Sequence, residues 1–244
     1  MIKEAINRIL ELAEPHMISS VTGDYVDKKM VRIDKDLRAS AVRMSTLSGL
    51  VDFIKGQTDF KPIPYIVQVV SPTEVRLISS LDRDREREIL AEVEADIPDF
   101  PFGQFIENEK FIINVQAKFM DGEADKNDKA VILAFAGNVK AGTVTKYGDD
   151  GVSQKAAIKK GVTSLSEVEV PSPCKLIPYR TFIEVDQPMS EFIFRVRNDE
   201  RLESVSCALF DADGGAWKIE AMENIKKYLK SQLRDVQKNI MVIS

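Results

Sequence analysis

The chain has 244 residues, enough for one large domain or two small ones and for a sizeable core. A hydrophobic share of 44% with 30% charged residues excludes disorder as the main state, and 12 glycines and 10 prolines exclude collagen-like and low-complexity classes. A net charge of −5 excludes binding of phosphate backbones by bulk attraction, so any nucleic-acid site has to be a local basic patch.

Ile2, Ala5, Ile6, Ile9, Leu10 and Ala13 recur at helical spacing and predict an amphipathic helix over 2–13, ended by Pro15. Lys3, Glu4, Arg8 and Glu11 interrupt the apolar pattern, unlike the unbroken core of about 7–15 residues in a secretory leader. The longest apolar run, 130–136, is far short of the ~20 residues of a membrane span. The expectation is a cytoplasmic protein with no membrane partner.

A short strand is expected in 25–33. Ser45 and Thr46 offer an N-cap to a short helix carrying Leu47, Leu50, Val51 and Ile54, stopped at Gly56. Residues 65–70 form a β-branched strand; Pro72 breaks it, and Val75 and Leu77 resume on a neighbour. Over 87–95, Ile89, Ala91, Val93 and Ala95 take one side and Glu88, Glu92 and Glu94 the other, the pattern of a half-wet antiparallel strand. A helix is the alternative there, through Leu90, Val93 and Ile97. Pro98, Pro101, Gly103 and three phenylalanines mark 96–105 as a packed connector. It divides an α+β subdomain 1–97 from another, 98–244, unless the chain is one continuous domain.

Asn108 is placed to cap a helix with Phe111, Ile112, Val115 and Phe119 on one face. A polar loop over 121–128 precedes a buried strand at 131–135. Segments 143–147 and from Val152 onward flank a Gly148-Asp149-Asp150-Gly151 turn as a hairpin. Pro171, Pro173 and Pro178 lead into a strand at 181–185, with further strands at 192–196 and 205–210. Asp213-Gly214-Gly215 turns into a long helix over 216–236, and 240–243 forms a closing strand. The class is α+β, mainly antiparallel sheets with an N-terminal helix, short middle helices and a long C-terminal helix.

Scarce residues restrict the chemistry. Cys174, Cys207 and His16 are three potential zinc ligands where a structural site needs four. Cys207 alternates with Val205 and Leu209 and is expected inward, as a small hydrophobe. Gly148-Asp149-Asp150 reads as a turn rather than a metal pair. A calcium loop begun at Asp211 fails at Ala216 and Met222, where Gly and Glu are required. Asp213 fits better as an acceptor at a helix N-terminus. Walker and dinucleotide glycine patterns are absent. No catalytic, cofactor or metal site is assigned, and a non-enzymatic protein without cofactor is expected.

Two surfaces invite contact. The alternating charges of 82–88 read as a solvated turn and strand edge, or as a salt-bridged subunit contact. On the last helix, Met222, Ile225, Leu229, Leu233 and Val236 make an apolar stripe. Lys226, Lys227, Lys230 and Arg234 are either a solvated face or phosphate contacts.

The order of these segments resembles the YfdQ-like family of phage and prophage proteins. The likeness rests on Ser45-Thr46-Leu47-Ser48-Gly49-Leu50-Val51-Asp52-Phe53-Ile54, on Gly151-Val152-Ser153-Gln154-Lys155-Ala156-Ala157, on Ile177-Pro178-Tyr179-Arg180-Thr181-Phe182, and on Phe192-Ile193-Phe194-Arg195-Val196-Arg197 before a terminal helix. The resemblance implies a phage-encoded accessory protein from the cytoplasm of a bacterial host, and it carries over no catalytic residue. The expected function is a self-assembling homo-oligomer, up to a large closed particle. Its candidate contacts are Ile2, Ile6 and Ile9 on the first helix and Leu229, Leu233 and Val236 on the last, either stripe being plain core in the alternative. The alternatives are a single-stranded nucleic-acid-binding helper in phage recombination, using Lys226, Lys227, Lys230 and Arg234, and an anti-defence binding protein.

Overall fold

The computed structural model describes residues 2–13, 15, 17–20, 23–26, 38–57, 59–82, 84–122, 127–139, 144–149, 154–160, 164–170, 172–199 and 204–244. The chain divides into two units, Met1–Ala39 and Ser40–Ser244. The first holds helix α1, Ile2–Ala13, and an antiparallel hairpin of β1, Met17–Ser20, with β2, Gly23–Val26. The helix has the expected bounds. Of the strand expected in 25–33, β2 reaches Val26; residues 27–37, like His16, lie outside the described ones.

The second unit opens with β3, Val42–Met44, and α2, Leu47–Gly56. Then come β4, Tyr65–Ser71, β5, Glu74–Ser79, and β6, Ile89–Glu94. It continues through β7, Ile106–Glu107, α3, Asn108–Lys118, and α4, Lys129–Asn138. Strands β8, Val144–Asp149, β9, Gln154–Lys160, and β10, Ser164–Val170, form an antiparallel sheet of their own. Next are β11, Cys174–Leu176, β12, Ser190–Asp199, and β13, Ser204–Asp211. Helix α5, Ala216–Gln232, a 3-10 helix, Arg234–Asn239, and β14, Ile240–Ile243, follow.

A five-stranded sheet has the order β14-β4-β5-β6-β3. Its centre is antiparallel, as the alternation predicts, but each edge strand runs parallel to its neighbour. Leu47, Leu50, Val51 and Ile54 of α2 and Ile225 and Leu229 of α5 bury against Val67, Val69, Val75, Leu77, Ala91 and Val93 on one face. Thr46 starts α2 as expected: its hydroxyl oxygen accepts from Gly49 N–H at 3.2 Å. Such a cap contributes about 1 kcal/mol.

A four-stranded sheet of order β11-β12-β13-β7 carries α3 and α4. Its core is aromatic, with Phe111 stacked on Phe194 at 5.4 Å and Phe100 edge-on to Phe119 at 4.9 Å. Three expectations are corrected in this region. Segment 131–135 lies in helix α4, because Ile132, Phe135, Ala136 and Val139 are buried at helical spacing while Val131 is half exposed. Segment 181–185 is a turn, not a strand. Asn108 does not cap its own helix; Nδ2 donates instead to the Ala136 and Val139 carbonyls at 2.7 and 3.0 Å. The connector 96–105 leads from one hydrophobic cluster to the other, and α5 and β14 return to the cluster of the five-stranded sheet.

Candidate functional site

The segment between β11 and β12 ties the two sheets together around one buried cation. Arg180 is 7% exposed. Its Nη1 donates to Asp211 Oδ1 at 2.9 Å, and Nη2 donates to the Ser190 hydroxyl. The guanidinium lies 4.2 Å from the Trp217 ring centroid, with Phe192 at 5.2 Å and Phe102 at 5.3 Å. A planar, weakly hydrated guanidinium suits such an aromatic cage, where a lysine ammonium does not. Burial pulls Arg180 below its ordinary pKa, opposed by Asp211 and Asp213.

Gln187 shapes the turn that presents Arg180. Its Oε1 accepts from the Arg180 and Thr181 N–H groups at 3.0 and 3.2 Å. Its Nε2 donates to the Phe182 and Val185 carbonyls at 2.9 and 3.2 Å. One side chain thus does what a strand ladder would otherwise do, which is why 181–185 is no strand. From this turn, Thr181 Oγ1 donates to the Pro72 carbonyl between β4 and β5. Glu184 Oε1 accepts from both N–H and hydroxyl of Ser48 at 3.0 Å, satisfying a second free amide of α2. Asn224 Nδ2 on α5 donates to the Asp186 carbonyl at 3.0 Å.

The turn before α5 needs both its glycines, since Gly214 and Gly215 have φ of 63° and 85°. Asp213 Oδ1 accepts from Gly215 N–H at 2.9 Å, as expected of a carboxylate at a helix start. Burial alone raises the Asp213 carboxyl. The Gly215 N–H, Ser190, Arg180 and the Trp217 N–H outweigh it and hold the group below the usual carboxylate range. Gly49 has a separate reason: an added Cβ meets Thr46 Oγ1 at 2.9 Å. The site is therefore a clamp whose charges are turned on one another.

The expected contact residues are divided. Ile2, Ile6 and Ile9 of α1 are exposed, at 80%, 52% and 65%. Leu229 and Leu233 are fully buried in the core of the five-stranded sheet, so they offer no contact surface. The Val236 side chain lies outside the described residues. Lys227, Lys230 and Arg234 are exposed near the end of α5, while Lys226 is half-buried and its Nζ donates to Ser244 Oγ at 3.0 Å.

The remaining motifs are local. Asp82 accepts from the Asp84 and Glu86 N–H groups at 2.9 and 2.8 Å, making the charged string a turn. Asp149 closes the β8–β9 hairpin opposite Gln154; Asp150 and Gly151 lie outside the described residues. Cys174 and Cys207 are free, buried thiols, and burial pushes both up to about 12. Sequence reading missed Arg180, Glu184, Gln187, Ser190 and Trp217 as a group. The available signals were an arginine inside a Pro-Tyr-Arg-Thr-Phe string and the aspartates just before the only tryptophan.

Among the described residues, no three His, Cys, Asp or Glu side chains gather to hold a metal ion. Nor, among them, is any helix long and apolar enough to cross a membrane. No protein-family model, curated protein or solved structure matches the chain.

Proposed function

We propose that the protein acts as a non-enzymatic, self-assembling homo-oligomer and that α1 is a contact element. One observation carries this reading: the apolar stripe of α1 stands in solvent. Ile2, Ile6 and Ile9 follow a 4-3 spacing, and Leu10 beside them is 59% exposed. This is the spacing of the apolar seam along which helices pack on one another. Covering each of these side chains is worth roughly 2 kcal/mol. The resemblance to YfdQ-like proteins supports an accessory role for such an assembly in a phage or prophage.

The test is native mass by light scattering across a concentration series. The wild type is expected to exceed a monomer, and Ile6→Glu with Ile9→Glu to lower the mass. A wild-type mass in the double variant overturns the reading.

A second reading, binding of single-stranded nucleic acid, is favoured by the exposure of Lys227, Lys230 and Arg234 near the end of α5. Affinity for an oligonucleotide then falls steeply with salt, and neutralising Lys226, Lys227, Lys230 and Arg234 flattens that slope. Salt-independent affinity, or none, overturns it.

A further inference from the structure

Strand β14 joins the five-stranded sheet through one side only. It pairs with β4, and among the described residues no strand pairs with its other side. Native sheets blunt such an edge with charge, proline or a covering element. β14 reads Ile240-Met241-Val242-Ile243 and has neither charge nor proline. Met241 is 61% exposed and Ile243 36%. The opposite edge differs, since β3 carries Arg43, paired with Glu92 at 3.7 Å. Beside β14 runs a groove of about 490 Å³, lined in part by Ile66, Leu81, Ile240 and Met241.

We propose that β14 pairs antiparallel with β14 of a second copy of this chain. The argument for a second copy is electrostatic and geometric. The chain carries a net charge of −5, so two copies carry a net mutual repulsion. Along β14 they set no charge opposite a like charge. A two-fold axis through Val242, normal to the sheet, keeps the open faces on one side. It places Met241 of each copy opposite Ile243 of the other, an apolar cross-strand pair. The two five-stranded sheets then become one continuous sheet, and each copy brings Met241 and Ile243 beside the groove of the other.

The inference shares the self-assembly reading but uses a different surface. One two-fold contact stops at a pair, whereas α1 and β14 together let the chain build beyond it. Native mass is therefore measured for the wild type, for Ile6→Glu with Ile9→Glu, for Met241→Lys, and for all three substitutions combined. Met241→Lys is expected to lower the mass at least twofold, and the combined variant to be a monomer. A Met241→Lys protein of wild-type mass overturns β14 pairing and leaves the α1 contact standing. An α1 variant of wild-type mass, with Met241→Lys reduced, overturns the α1 contact and leaves β14 pairing standing. A monomeric wild type overturns both. Amide exchange in the wild type tests the edge without any substitution. Exchange of residues 240–243 is expected to quicken on dilution, and a rate independent of concentration overturns the pairing.

Discussion

Asn108 and Lys129, the first residues of α3 and α4, each hold the far end of the other's helix. Asn108 Nδ2 donates to the Ala136 and Val139 carbonyls at the end of α4. Lys129 Nζ donates to the Gln116 and Phe119 carbonyls at the end of α3, at 3.2 and 2.6 Å. The lysine is only 6% exposed, and its charge meets the negative end of the helix dipole. Asn108→Ala is expected to cost about 1–2 kcal/mol and Lys129→Met about 1–3 kcal/mol, because buried carbonyls lose their donors. The two bonds lie roughly 15 Å apart, the length of α3, so the losses add in the double variant to within ~0.5 kcal/mol. Urea unfolding of the four proteins checks this.

Trp217 is the only tryptophan, and the Arg180 guanidinium lies on its ring. Intrinsic fluorescence therefore reports on the clamp directly. Arg180→Lys is expected to change the emission maximum and lower stability by about 2 kcal/mol, since an ammonium reproduces neither the stacking nor the two-sided hydrogen bonding. Unchanged emission and unfolding midpoint would show that the cation is not held as described.

Asp213 makes stability depend on acid. Its folded pKa lies below the unfolded value of about 3.9, so its contribution is complete above roughly pH 5 and is lost as pH falls through the folded value. Asp213→Asn is expected to be less stable than wild type at pH 7 and to lose less stability between pH 5 and 3. Unfolding midpoints over that range test the sign.

Cys174 and Cys207 are each 1% exposed, and their thiols, pushed up to about 12, stay protonated at neutral pH. Neither is expected to react with a disulfide reagent in the native protein at pH 8. Both react once the chain is unfolded in guanidinium.

What could be read from the sequence followed from local physics. The apolar stripe of α1, the Thr46 cap of α2 and the Pro72 break between β4 and β5 each lie within one element or one turn, and the sequence signals them in place. The sequence does not distinguish helix α4 from a strand, because 130–136 is apolar without interruption and only burial separates Ile132 from Val131. The clamp was invisible because its parts are distant: Glu184 meets Ser48 across 136 positions, and Arg180 meets Asp211 across 31. Composition and periodicity carry no such pairings. The stripe of α5 shows the opposite failure, since apolar spacing predicts burial but not whether the covering surface belongs to the same chain.

The return of α5 and β14 to the sheet begun by β3 and β4 sets the order of synthesis against the order of packing. Leu229 and Val242 share a hydrophobic cluster with Leu47 and Leu50. A nascent chain that has left the ribosome only as far as β13 lacks both the strand that covers the β4 edge and the helix that packs on α2. Completion of the five-stranded sheet is therefore late and non-local, closing one of the longest loops in the molecule. During translation that uncovered edge is open to chaperones and to neighbouring nascent chains on the same message.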